Sequence, residues 1–334
     1  MKANQLLAKT NLKRIFTAAT VAVAIGASSL VAAADLKLRM AATASSSDQR
    51  AVAMTEVFGP AVSSFANFEG HWSNSLFKQG TELEAIARGN LDMTITSAQE
   101  LAEFFPEFSI FAAGYVHRDA EHQQRVFAAD FMQPLKQKVE DDLGIKLLTV
   151  MYMGRRQVNL RTDQKITTPA DLKGVKLRMP GSDSWQFLGK ALGASPTPMA
   201  FSEVYTALQT GAVDGQDNPL PTDKDAKFYE VTKQIVLTSH LVDLNYIAFS
   251  KKVWDKLTPE QQVKVQDAAD AAAESGRKNN LMLEAELVQF FKDQGLKVYE
   301  PDLKAFQKTV QAAYLNSDYS KTWPKGMLEK INAL

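Results

Sequence analysis

The sequence predicts an α/β protein of about two domains, and three observations lead there. The chain has 334 residues, which at about 150 residues per domain suggests two. Short apolar runs of strand length alternate with amphipathic stretches of helical period, a pattern that implies a largely parallel sheet covered by helices. Near the C-terminus a helical pattern starting at Thr258-Pro259-Glu260-Gln261 runs to Phe291. At 1.5 Å per residue it is roughly 45–50 Å long, enough to cross two domains.

In chain order, Leu36–Ala41 alternates as a first strand, and Ser45–Asp48 caps a helical run from Gln49 to Phe65. Asn67–Trp72 and Leu91–Thr96 are strands on either side of a short helix over Thr81–Arg88. One long helix is expected over Ala120–Leu143, stopped by Gly144 and followed by a buried strand, Ile145–Met153. A separate strand covers Gln157–Arg161, and Val175–Met179 is another. Helices are expected over Ser182–Leu192 and, started by Ser202, to Thr210, where Gly211 ends the turn. Asp214–Pro219 has the composition of a polar turn. Val231–Ser239 and Leu244–Ser250 are two further strands, and after the long helix come Leu296–Tyr299 and a helix from Pro301 to Tyr314.

Composition narrows the function classes. Apolar residues make up 45% of the chain, so large cores can be buried. There is no cysteine, which removes disulfides, thiolate metal sites and cysteine nucleophiles. Residues 1–34 carry Lys2, Lys9, Lys13 and Arg14 and no acid, then an apolar segment ending in Ala32-Ala33-Ala34. That is the pattern of a secretory signal peptide cleaved before Asp35, which places the mature chain in a bacterial periplasm. The remaining residues have 34 basic against 38 acidic side chains, net −4, a poor balance for binding nucleic acid.

Motifs for catalysis are missing: there is no HExxH, GxGxxG or GxSxG, and neither a cofactor nor a metal site is expected. His117 and His122 are five apart, off one helix face, and read as surface or capping histidines. What stands out is arginine, with Arg155, Arg156 and Arg161 flanking one strand and Arg178 inside VKLRM. Alternation alone turns Arg178 toward solvent. The alternative puts its planar fork at a strand end in a cleft, gripping an anion through two parallel hydrogen bonds.

The runs Gly154-Arg155-Arg156-Gln157, TPADLKGVKLRMP (168–180), GASPTPMAFSEVYTALQTGAVDGQDNP (193–219) and KFYEV (227–231) resemble the DctP-type substrate-binding proteins of TRAP (tripartite ATP-independent periplasmic) transporters. The resemblance implies a two-domain flytrap with a hinge of crossing strands and a long helix spanning both domains. It places domain I at 35–153 plus about 245–285, domain II at about 154–244 plus about 286–315, and a C-terminal segment at 316–334. It implies a monomeric receptor, not an enzyme, that captures a small organic acid, carboxylate or sulfonate, and hands it to small and large membrane subunits.

The same resemblance assigns the carboxylate-gripping arginine to Arg178 and further ligand contacts to Arg156, Asn218 and Phe201. From the first block it offers Gln79, Thr96 and Ser97. Relatives that read sialic acid carry acids near these places, and Lys78-Gln79-Gly80 and Ser97-Ala98-Gln99 depart from that, which counts against sialic acid. Trp185 divides between core packing and a place in the cleft, where it would favour a compact acid. Two other readings share the architecture: a ligand-binding module for a sensor kinase, and a secreted hydrolase or lyase.

Overall fold

The computed structural model describes residues 36–334; the expected signal peptide, 1–34, lies outside them. Among the described residues nine strands form one hydrogen-bonded sheet: β1 (Lys37–Ala41), β2 (Asn67–His71), β3 (Met93–Ser97), β4 (Ile145–Leu160), β5 (Lys176–Met179), β6 (Ser195–Pro198), β7 (Gly215–Pro219), β8 (Gln234–Ser250) and β9 (Lys297–Tyr299). Their order is β2-β1-β3-β8-β4-β7-β5-β6, with β9 beside β8.

Two strands are far longer than a typical strand of five or six residues, β4 with 16 and β8 with 17. Four strands expected separately are thus two continuous ones. Residues 154–156 and 240–243, which break the apolar pattern, are the middle of each strand and not loops. Along their length β4 and β8 change neighbours. Asn245–Phe249 of β8 pairs with β3, while Gln234–Val236 pairs with β9. Arg156–Leu160 of β4 pairs with β7. The sheet therefore has two halves, β2-β1-β3 and β7-β5-β6, joined through the same two strands. The outer pairs are parallel, as expected, but β4 and β8 are antiparallel to each other and to their neighbours β7 and β3.

Three register shifts interrupt β4 against β8. At the middle one stands Gly154, with φ +130°, a value that side chains rarely tolerate. Glu284 braces this bulge, accepting from the Tyr152 hydroxyl and the Arg155 backbone N–H. It comes from the long helix, Pro259–Asp293, whose 35 residues extend the expected run slightly and whose N-terminus is the expected capping box of Thr258 and Gln261. In its first half Val265, Ala268, Ala269, Ala272 and Ala273 pack with Leu38, Met40 and Phe249. In its second half Leu287 and Phe291 pack with Leu220, Ile235 and Leu296. The helix spans both halves of the sheet because its buried stripe continues across them at three- and four-residue spacing.

Several local expectations are corrected. The helix over 120–143 is two, Ala120–Ala128 and Gln133–Leu143, separated by a 3₁₀ turn at Asp130–Met132. Ala129 (ψ 147°) breaks the helix and Pro134 opens the next one. Ser202 caps nothing; a 3₁₀ turn, Phe201–Glu203, leads into the helix Val204–Thr210. The polar segment before Asn218 is the fully buried strand β7 and not a turn. His117 and His122 are both buried, their rings 5.7 Å apart. Burial, reinforced by His122, lowers His117 to about 3, so it is a neutral core residue.

An ideal Cβ on Gly154 falls 2.6 Å from Pro219 Cβ and 3.0 Å from Glu284 Oε1. Gly154→Ala is therefore expected to cost about 1–3 kcal/mol in urea unfolding. Unchanged stability would show that this bulge is not a tightly built feature.

Candidate functional site

Between the two halves of the sheet, at the carboxyl ends of β1, β3 and β5, lies a cavity of about 560 Å³, counting the part open to solvent. Ligands of α/β sheets sit at such strand ends. Ala42, Thr43, Arg50, Gln79, Ile95, Ser97 and Glu100 form one wall. Pro180, Trp185, Phe201, Arg178 and Asn218 form the other, and Met153, Arg156, Asp243 and Asn245 of the long strands form the floor.

Three arginines converge here, and they differ in what balances their charge. Arg50 is held by Asp48 through Nε and Nη2, and its Nη1 donates to Asn245 Oδ1 at 2.7 Å. Arg156 donates to Asp217 at 2.6 Å and to Asp243 at 2.7 Å, and its guanidinium lies 4.5 Å from the centre of the Trp185 ring. Burial alone would lower the Arg156 pKa, but Asp217 and Asp243 outweigh it and raise it. Asp217 also meets His240 Nε2 at 3.0 Å, and its own pKa is lowered.

Arg178 has no such partner. It is 1% exposed, so the outward orientation that alternation suggests is wrong. Strand β5 is exposed at Lys176 but buried from Leu177 to Met179, and Arg178 lines the cavity at its end. Its Nε and Nη2 donate to the carbonyl of Met199 at 2.9 and 2.7 Å, and Nη2 reaches Gln79 Oε1 at 3.3 Å. No carboxylate pairs with it among the described residues, and Nη1 makes no hydrogen bond to them. Burial lowers its pKa to about 9, with Asp217 opposing the shift and Arg156 adding to it. The group stays charged at neutral pH, in a place where a charge is costly unless paired.

The opposite wall carries a carboxylate. Oε2 of Glu100 is fixed by the Thr96 hydroxyl and the Ser97 backbone N–H, both at 2.9 Å, in a capping box with Ser97. Its Oε1 has no partner among the described residues. Burial raises the Glu100 pKa despite these donors, and burial with the Glu100 charge pushes neighbouring Glu82 up to about 8.

The structure thus brings together Arg178, Arg156, Asn218, Phe201, Trp185, Gln79 and Ser97. Thr96 stands behind the wall and acts through Glu100. Asn218 is oriented by a buried relay, donating to Gln216, which donates in turn to Asp223 and Asn159. Sequence reasoning missed Arg50, Glu100, Asp243 and Asn245. Asp243 and Asn245 had a signal, since polar residues alternate there within an apolar strand. Glu100 lies one residue past Ser97-Ala98-Gln99, so the wall does carry an acid.

Residues 64–321 match the DctP family, bacterial extracellular solute-binding protein family 7. The sialic acid-binding periplasmic protein SiaP of Vibrio cholerae is 36% identical over 236 residues, 71% of this chain and 73% of that protein. A TRAP periplasmic solute-binding protein of Roseobacter denitrificans with bound 3-deoxy-D-manno-oct-2-ulosonic acid (KDO) is 64% identical, with a TM-score of 0.89, covering 89% of this chain and 99% of that one. A second R. denitrificans protein, with bound L-galactonate, is 29% identical with a TM-score of 0.80, covering 89% and 98%.

If the Arg178 charge is uncompensated by the protein, a neutral side chain of similar length relieves the fold. Arg178→Met is expected to melt at the same temperature as wild type or above it. A drop of several degrees would mean that Arg178 serves the fold.

Proposed function

Because the chain belongs to the DctP family of bacterial extracellular solute-binding proteins, we propose that it captures a monocarboxylic sugar acid of the KDO kind and delivers it to a TRAP permease. The observation that carries this reading is the buried Arg178, unpaired by any carboxylate among the described residues, opposite the acceptor oxygen of Glu100. One end of the cavity calls for an anion and the other for hydroxyl groups.

In this reading the ligand carboxylate accepts from Arg178 Nη1, with further donors from Asn218 and the remaining Nη1 hydrogen of Arg156. Hydroxyls along the sugar chain donate to Glu100 Oε1 and Asp243, and Phe201, Trp185 and Met153 cover its carbon faces. Charge-assisted bonds contribute about 1.5–3 kcal/mol each, so three or four suffice for micromolar binding, about −8 kcal/mol. A second carboxylate would meet Glu100 and Asp243 at close range. Dicarboxylates, left open by the sequence, are therefore disfavoured.

Ligand contacts to both walls are complete only when the walls meet, so binding favours the closed form. The moving units are 35–153 with about 245–285 and about 154–244 with 286–315, and 316–334 is a C-terminal segment. The bulges of β4 supply the bend. The protein is periplasmic by family. We take residues 1–34 as a cleaved signal peptide, the receptor as a monomer acting without chemistry on its guest, and its partners as the small and large membrane subunits. No helix among the described residues is long and apolar enough to cross a membrane.

Titration calorimetry with KDO is expected to give micromolar or tighter binding, at least about 100-fold weaker in Arg178→Ala. Glu100→Gln keeps the capping box, since glutamine serves at that position too, and is expected to weaken KDO about tenfold. Tighter binding of a four-carbon dicarboxylate than of KDO would contradict the reading.

A further inference from the structure

Gln79 does more than line the cavity. Its Oε1 accepts from the Phe201 backbone N–H at 2.9 Å and from Arg178 Nη2 at 3.3 Å, both on the opposite wall. One oxygen thus ties the loop ahead of the helix Glu82–Ala87 to two elements of the other half of the molecule. Its Nε2 has no partner among the described residues, and the side chain lines the cavity.

Both ends of this bridge are stiff. On its own side, the Gly80 N–H donates to Glu82 Oε2 at 2.7 Å and the Thr81 hydroxyl to the Lys78 carbonyl at 2.7 Å. Gly80 takes φ +88°, which lets the chain turn directly after Gln79. On the far side, Met199, two residues before Phe201, presents the carbonyl that accepts from Nε and Nη2 of Arg178. The Arg178 fork is therefore clamped along one edge by its own half and by Gln79 from across the cleft, and Nη1 is the corner left to the cavity.

We propose that Gln79 is a positioning residue that couples closure to the anion site. When the walls meet, its amide oxygen seats on the Phe201 N–H and on Nη2, which fixes the fork with Nη1 aimed at the guest. The contact exists only in the closed arrangement, so it adds to the closed form and slows release. The amide chemistry matters. A carboxylate in its place would pair with Arg178 and supply the charge that the guest should bring. Asparagine, one methylene shorter, would not span the gap. The inference rests on the cavity being the receptor site but not on which acid fills it.

The test compares wild type with Gln79→Ala, Gln79→Asn and Gln79→Glu by small-angle X-ray scattering at pH 8 and by stopped-flow binding of KDO. Gln79→Glu is expected to scatter as a more compact particle than wild type without added acid, and to bind KDO at least about 100-fold more weakly. Gln79→Ala and Gln79→Asn are expected to be more open and to bind about tenfold more weakly, with the loss in the dissociation rate. Melting temperatures near wild type confirm that these variants fold. Unchanged scattering and KDO kinetics in Gln79→Glu, or a loss in Gln79→Ala confined to the association rate, would overturn the proposal. If wild type binds no KDO, the ligand reading fails while scattering still decides the role of Gln79.

Discussion

A guanidinium taken out of water must be given a counter-charge, and no carboxylate among the described residues pairs with Arg178. Its neighbours show what the protein does when a positive charge is structural: Arg50 is held by Asp48, and Arg156 lies between Asp217 and Asp243. Among the described residues, Arg178 donates hydrogen bonds only to a carbonyl and an amide oxygen. The surrounding fold makes this arrangement possible. A covered strand places the side chain, Met199 and Gln79 fix one edge of its fork, and Phe201 lies 5.8 Å from the guanidinium carbon. In the proposed receptor one ligand carboxylate would balance Arg178, and a second would face Glu100 and Asp243.

The same cavity lies on the strands that join the two halves of the sheet. Strands β4 and β8 supply its floor and exchange partners along their length, so each half of the sheet keeps its hydrogen bonds if the bulges absorb a rotation. The long helix lies across both halves and braces the bulge at Gly154 through Glu284. Arg156 of β4 and Asp243 and Asn245 of β8 line the cavity, so in the proposed receptor the ligand-facing groups and the hinge share these two strands.

Much of this was legible in the residues, unevenly. Strands, the capping box at Thr258 and the long helix follow from local patterns, because period and end signals are properties of neighbouring residues. Continuity of β4 and β8 does not, since Arg156 at the centre of β4 is paired by Asp217 and Asp243, 61 and 87 positions away. Arg178 shows the limit of periodicity. Alternation within VKLRM tells which residues share a face but not whether that face is covered, and Arg178 is buried beside the cavity. Glu100 went unnoticed because a capping box explains a glutamate fully at the local level, while its second oxygen acquires a role only when the opposite wall arrives. The buried histidines reflect the same ignorance of long-range packing.

A crystal structure of the protein with a bound sugar acid tests the central claim most directly. The account predicts the ligand carboxylate within hydrogen-bond distance of Arg178 Nη1 and a hydroxyl of its chain on Glu100 Oε1. A carboxylate bound away from Arg178, with that side chain still unpaired, would contradict it.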